Sequence, residues 1–574
     1  MESPIDRCFL VFALLVVVSL SAPGCNLSEQ ELDNSSSPSN QETDTDVGQD
    51  TSPDPDVGPD ADVNGDEDTG GDDDCESSEE SPFAAGDGSE SDPFELCSVQ
   101  QFNAIGDDVE YMDAHFEMSA DIDFGGEALT PVGSADEPFR GSFDGGGHAL
   151  RQILLESPEA VPLGIFVALG EQGIIEDVVV SEVTIGGTDK VGALVGFNEG
   201  AIRGCDISAT VSGDTYVGGV VGENSGELEE CAVSGSLEGQ YRVGGLVGSN
   251  EEDGVISDSV SDVEVKGASL VGGAVGNNEG EIEGVHAEGD VEVTGAVDVD
   301  AVEGPEYIRV AGGLAGANLG EGEISDSRAG GSVTAQGELE GTHIVEAVGG
   351  LVGLSEGLLL RTQATGNVRA DGRLSLSGDD RVGVFYAGGL VGGSSSEIRK
   401  SAAGGDVEVA GRIHASSSSS HGLRFSGGLV GVALANVMDS YATGQVEIDL
   451  PEEESVASSE ANLGGLLGLF AEEEGASEVP LTSRSYASGP VVGDSSIAKG
   501  GLVGFIMGEA TIRKSYWDVD TSGRPESNDE AGEPRSTDEF EEPSSFQEWD
   551  FGTIWEIGES FDGSFRPVLQ WQSL

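Results

Sequence analysis

The amino-acid sequence predicts an all-β fold: a right-handed parallel β-helix (solenoid) with short capping elements, preceded by a disordered acidic linker. Three observations predict it. A hexapeptide close to VGGLVG recurs ten times, starting at Val191, Val217, Val243, Val271, Ala311, Val348, Ala387, Ser426, Leu463 and Lys499. The glycines closing successive copies are 26, 26 and 28 residues apart and then 36 to 40, close to the length of one coil. Between copies lie short segments of alternating apolar residues without helical period, such as AIRGCDISATVSG and NVMDSYATGQVEI. A chain of 574 residues exceeds one ordinary core, whereas a repeat array reaches that length because each unit packs only on its neighbours.

From the N-terminus, residues 9–20 (FLVFALLVVVSL) form an apolar run that suits an export signal and is too short to span a bilayer. Small residues then precede Cys25 (SAPGC), so residues 1–24 read as a lipoprotein-type signal peptide and Cys25 as the lipidation site that ties the chain to a membrane. Ala22 and Pro23 depart from the usual lipobox, and a free secreted chain is the alternative. Residues 25–92 are Asp, Glu, Ser, Pro, Thr and Gly with almost no large apolar side chain, a composition that cannot offset its ordering entropy and reads as a tether. Residues 93–190 make an N-terminal cap and the first coils, 191–514 the repeat array, and 515–574 an aromatic C-terminal cap.

Inside the array, Val and Leu of successive hexapeptides stack in the interior, and their glycines permit corners and close backbone approach. Asn198, Asn224, Asn250, Asn278 and Asn318 each follow a closing glycine by two residues, so in register they form an amide ladder. Later coils carry Ser355, Ser394, Ala433, Phe470 and Ile506 there, and the amide ladder stops. With GGLVG as its core, the array resembles the GLUG-motif repeat proteins, a bacterial family of secreted and surface proteins. The resemblance extends to PFRGSFDGGGHALRQI at 138–153 and to KSYWDVDTSG at 514–523. It implies a β-helix outside the cytoplasm and little about chemistry.

Both ends look capped. Ser98 and Gln101 match a capping box for a helix running through Ile105 and closed by Gly106. All four tryptophans, Trp517, Trp549, Trp555 and Trp571, lie near the C-terminus, placed to cover the last coil or to stack on sugars.

Lys and Arg number 24 against 109 Asp and Glu, a formal net charge of −85, which repels nucleic acid. Calcium is the cofactor such a surface admits, although no EF-hand loop is present and no metal ligands can be named. A glycan hydrolase needs two converging carboxylates, and Asp121, Asp123 and Asp144 are the candidates near the start of the array. Arg140, Arg151 and Lys190 are isolated in sequence, and the six histidines have no zinc spacing. Cys205 and Cys231 lie nine residues after their closing glycines, in one column of adjacent coils that is otherwise rich in serine. They form either a disulfide or two stacked thiols.

From Gly276 onward the coils lengthen at one place: 296–309, 338–346, 373–386, 412–425 and 450–462. These insertions are expected to project from one side as a binding face. The reading that follows is a surface-anchored or secreted repeat protein, not an enzyme, serving adhesion, recognition or structural display toward a glycan or cell-surface partner. A polysaccharide-active β-helix enzyme and a calcium-binding acidic spacer are the alternatives.

Overall fold

Four short strands make a coil. In the coil that begins at Asp189, a lead strand (Asp189–Gly192) bends through Ala193 and Leu194 into an exit strand (Val195–Asn198), followed by a third strand (Ala201–Arg203) and a long strand (Asp206–Ser212). Each pairs in parallel with its equivalent one coil on, Val191 with Val217, Val195 with Val221, Ile202 with Leu228 and Ile207 with Val233. The computed structural model describes residue 75 and residues 81–573, except 296, 299–306, 380, 418, 451–455, 457, 473–478, 496 and 528–530. The signal segment and Cys25 lie outside the described residues. The chain is a parallel β-helix, its third strands stacking into a sheet of 14 and its lead and exit strands into sheets of 11 each.

The third-strand sheet shows how sequence fills the interior. Its central column runs Phe116, Phe143, Ile175, Ile202, Leu228, Ile256 and Ile282 in register, all buried. Aromatics fill the first coils because a helix, not another coil, closes that end: Phe102 of the helix Val99–Asp107 packs edge-on against Phe124, Phe143 and Phe166. Ser98 caps this helix, accepting from the Gln101 backbone N–H, as the sequence predicts. The helix continues past Gly106 to Asp107, because Gly106 answers a packing need and not a stop: a Cβ there would lie 2.6 Å from the Pro131 carbonyl oxygen.

The glycines of the hexapeptide are likewise there for proximity. None has a positive φ. A Cβ on Gly192 would lie 2.1 Å from the Val195 carbonyl oxygen, and one on Gly219 would lie 2.2 Å from that of Gly245. Left-handed corners sit elsewhere, between third and long strands, from Asp177 and Gly204 through Asp326, Arg361 and Asp439 to Arg484 and Lys514. Glycine fills this corner only at 204 and 284. Side chains there cost roughly 1–2 kcal/mol of backbone strain, partly offset by pairing between coils: Arg484 holds Asp439 with bonds of 2.6 and 2.7 Å, and Arg361 holds Asp326 likewise.

Folded structure begins upstream of the expected boundary at residue 93. Phe83 is buried against Phe94, Tyr111 and Phe116, and a disulfide joins Cys75 to Cys97 across a Cα separation of 5.8 Å. The C-terminus also departs from expectation. Residues 515–535 complete the end of the array: Trp517 joins the main core, and Glu533–Arg535 pairs with Tyr516–Asp518. Residues 536–573 then turn back along the flank. There Phe540, Phe546, Trp549 and Trp555 pack on a column of Tyr441, Tyr486 and Tyr516, and the Trp571 indole N–H reaches the Lys400 carbonyl at 2.9 Å. The aromatic segment is thus mostly a buttress across several coils, and burial of Trp517, Trp549 and Trp555 removes them from sugar stacking.

Candidate recognition surface

Two polar ladders run inside the solenoid. The Asn198 amide N–H donates to Asn224 Oδ1 at 2.7 Å, Asn224 to Asn250 at 2.7 Å, Asn250 to Asn278 at 2.8 Å and Asn278 to Asn318 at 2.7 Å. Asn318 hands on to Ser355 Oγ at 3.3 Å, where the amides end. All five asparagines are fully buried, and each amide also donates to a nearby glycine carbonyl. The sequence reading of this ladder matches the geometry in every member.

The second ladder starts just after the left-handed corner. Ser259, Ser327, Ser401, Ser440, Ser485 and Ser515 each donate to the carbonyl two residues back. Each also accepts a backbone N–H from the preceding coil, as Ser440 does from Ser401 at 3.1 Å. Cys205 and Cys231 occupy this column as free, buried thiols and behave as its hydroxyls do, donating to Arg203 and Glu229 carbonyls at 3.4 and 3.3 Å. Of the two alternatives for this pair, the structure holds stacked thiols; the contact with Cys231, and then burial, push the Cys205 thiol well up. The disulfide is at Cys75 and Cys97.

Among the described residues, the second, third and fourth insertions do not project as loops. They lengthen strands. Lead strands grow from four residues (Ser269–Gly272) to seven (His343–Gly349, Val382–Gly388, His421–Gly427), and the long strand Val333–Gly341 pairs with Val368–Leu376 over nine consecutive residues. Their inward side chains, with Val310, Ala347, Tyr386 and Phe425 facing Leu354, Val432 and Leu469, form a second buried cluster beside the main core. In the first insertion, Val297 pairs antiparallel with Ile308 and Asp298 with Tyr307. What lies outward is therefore a widened, ordered sheet face with closely spaced side chains.

Such glycine-packed coils in uninterrupted parallel register are what the recurring hexapeptide encodes, and the sequence model of the family described as "The GLUG motif" matches residues 239–266, one complete coil. The chain carries the GLUG motif. Among its relatives is "Halomucin" of Haloquadratum walsbyi, 29% identical over 137 residues, 22% of this chain and 2% of that one. Another is a "Putative Gly-rich membrane protein" of Evansella cellulosilytica, 27% identical over 138 residues, 22% of this chain and 15% of the relative. The chain thus spans a small part of the curated relatives it matches. A crystal structure titled as a "putative immunoglobulin A1 protease" from Bacteroides ovatus aligns over 86% of this chain and 96% of its own at 17% identity, with a TM-score of 0.27, too low for any inference.

The candidate carboxylates of this chain are engaged in structure. Asp121 accepts from the Ala149 N–H at 3.0 Å and pairs with Arg151 at 2.7 Å, and these contacts hold it below the usual carboxylate range, opposite to what a general acid needs. Asp123 and Asp144 each accept a backbone N–H two residues on, from Gly125 and Gly146, as turn formers. The isolated cations find partners too: Arg140 meets Asp113 at 2.7 Å, and Lys190 meets Glu223 at 3.1 Å while lying over the Phe197 and Tyr216 rings. Burial raises Glu346 to about 7 against the pull of Arg309, but both side chains are sealed at 0% exposure, 2.7 Å apart. Among the described residues no three His, Cys, Asp or Glu side chains are grouped to hold a metal.

Sequence reasoning missed the Cys75–Cys97 pair, the Arg309–Glu346 pair and the tyrosine column. The last had a signal: Tyr441, Tyr486 and Tyr516 each follow a ladder serine in DSYA, RSYA and KSYW.

Proposed function

We propose that this chain is exported and works outside the cytoplasm as a membrane-tethered rod, displaying an ordered sheet face for adhesion or recognition. The Cys75–Cys97 disulfide carries this reading, because such bonds persist in oxidising compartments and are rare in the cytosol. It also sits where the acidic segment meets the first coil, where a covalent link resists peeling of the rod from its tether. The apolar run at 9–20 and Cys25 supply export and lipid attachment. The names of the two curated relatives, a halomucin and a putative Gly-rich membrane protein, support a surface or membrane-associated setting.

The test is fractionation. Wild-type protein should enter the detergent phase and label with palmitate, whereas Cys25→Ala should be soluble and unlabelled. Protease added to intact cells should release the rod from the wild-type cell surface. Equal partitioning of both forms would remove the lipid anchor, and protection from protease would remove surface display.

A further inference from the structure

The part of the long strand that the 26-residue coils lack carries Arg373 on one coil and Arg412 on the next, and the two are register partners. Parallel neighbours lie about 4.8 Å apart. Both side chains are exposed, and neither has an ion pair or hydrogen bond to a described residue. Like charges directly opposite one another destabilise a sheet. In this chain the arrangement stands out, because acidic residues outnumber basic ones 109 to 24 and several other surface cations pair with carboxylates. Arg203, Lys266 and Arg328 each do so, and Arg369, four residues before Arg373, reaches both Asp371 and Glu408.

The surroundings extend the patch. His414 lies two residues beyond Arg412 on the same face and is the register partner of Ser375. Glu338, the neighbour of Arg373 on the other side, is turned to Ser375, whose Oγ donates to it at 2.9 Å. Asp379 is likewise engaged by Ser417 Oγ at 2.5 Å.

We infer that Arg373 and Arg412, with His414 beside them, bind an acidic polysaccharide carrying carboxylate or sulfate groups at intervals along an extended chain. Two guanidinium forks on a straight strand face can each take an oxyanion bidentately. The face is open, which suits a polymer lying across the strands. A net charge of −85 disfavours a polyanion as dense as nucleic acid, so charge spread one group per sugar is the better match. The inference deepens the recognition reading and rests on it.

The full chain should be tested on immobilised polygalacturonate, ι-carrageenan (one sulfate per sugar and no carboxylate), neutral dextran and single-stranded DNA, alongside R373Q/R412Q. Wild type should bind polygalacturonate or ι-carrageenan, the arm that responds naming carboxylate or sulfate, and should not bind dextran. The variant should lose roughly tenfold or more, and wild-type binding should weaken as salt rises. Its melting temperature should be unchanged or higher, since removing the pair relieves repulsion; a lower one would mark the arginines as structural and overturn the site. No wild-type binding to either anionic polymer, equal binding by the variant, or DNA bound as tightly as the glycans would also overturn it. Cells displaying the chain separate this result from the broader reading. If the variant attaches like wild type while a deletion strain does not, recognition stands and this site falls. If the deletion strain attaches like wild type, recognition itself fails.

Discussion

The column two residues before each hexapeptide has opposite characters in the short and the long coils. In short coils it holds Asp189, Thr215 and Tyr241, half-buried, and last Ser269, buried, with Thr215 Oγ1 donating to Asp189 at 2.6 Å. In long coils it holds Arg309, Glu346, Phe385 and Arg424, all fully buried, with the Arg424 guanidinium over the Phe385 ring. The cause lies one residue on. Lys190, Tyr216, Arg242 and Leu270 have φ of 49 to 54°, so the short lead strand begins at a left-handed turn, whereas the equivalent Val310, Ala347, Tyr386 and Phe425 continue a straight strand. About ten extra residues per coil thus build a second core, not an appendage. A column that faces solvent in one region becomes interior in the next.

The largest test of this contrast is Glu346→Ala, which leaves the permanently charged Arg309 guanidinium buried without its partner. Removing one member of a sealed ion pair leaves an uncompensated buried charge and costs about 3–5 kcal/mol, whereas Lys190→Ala, breaking the partly buried pair with Glu223, should cost less, about 1 kcal/mol. Hydrogen exchange is the suitable readout, because a long solenoid need not unfold in one step. Protection should fall in the strands around 307–349 and hold around 189–250. Glu346 adds a pH signature. Its folded pKa of about 7 stands above the ordinary 4.5, so its contribution is fully present below about 4.5 and is lost as pH rises through about 7. Glu346→Gln should flatten that slope in the long coils, and a slope unchanged by the substitution would contradict it.

Gly350→Val, in a long coil, and Gly219→Val, in a short one, sharpen the comparison from the other side. The added Cβ would lie 2.1 Å from the Gly389 carbonyl oxygen in one and 2.2 Å from that of Gly245 in the other. The hinge is therefore common to both regions, and each substitution should cost about 1–3 kcal/mol by overpacking. Unequal losses would mean that the second core changes the hinge. The amide ladder should behave differently. Asn224→Ala strands the buried amides of Asn198 and Asn250 and costs about 1–3 kcal/mol, whereas Ser394→Ala, where the amides have ended, should cost about 1 kcal/mol or less. Denaturation midpoints of the two variants check this.

What was legible in the sequence follows from periodicity. The hexapeptide fixes where one coil meets the next, so Asn198 through Asn318 and the serine column could be aligned by counting from closing glycines. The buttress could not, because contacts such as Trp571 to Lys400 join residues 171 apart with no repeat between them. The insertions were placed correctly but read as loops, since length alone does not separate an appendage from a lengthened strand. The near-continuous apolar runs in HIVEAVG and VGVFYAG were the missed signal, both faces of these strands being buried. Arg373 and Arg412 are 39 residues apart and meet only because those strands pair. The glycines were only half understood: close approach was the right reason and sharp corners the wrong one, because corner residues such as Asp177, Arg361 and Lys514 accept left-handed backbone with side chains attached.

The smallest expected effect concerns Cys205 and Cys231, the two short-coil positions where thiols stand in for the hydroxyl ladder. Ser259 shows what the column asks of its occupant: it donates to Ser257 at 2.8 Å and accepts the Cys231 N–H at 3.1 Å. Cys231 already makes the longer sulfur version of the first bond, at 3.3 Å to Glu229. A serine there should be accommodated without rearrangement, and Cys231→Ser should shift stability by no more than about 0.5–1 kcal/mol in either direction, the worth of one ordinary hydrogen bond. If the two cysteines were instead oxidised to each other in the exported protein, the same substitution would remove a crosslink and cost about 2–4 kcal/mol. Non-reducing peptide mass mapping decides between these directly. The Cys75–Cys97 peptide pair should appear in both wild type and variant, and a Cys205–Cys231 pair in wild type would show that the ladder yields to oxidation where two thiols stack.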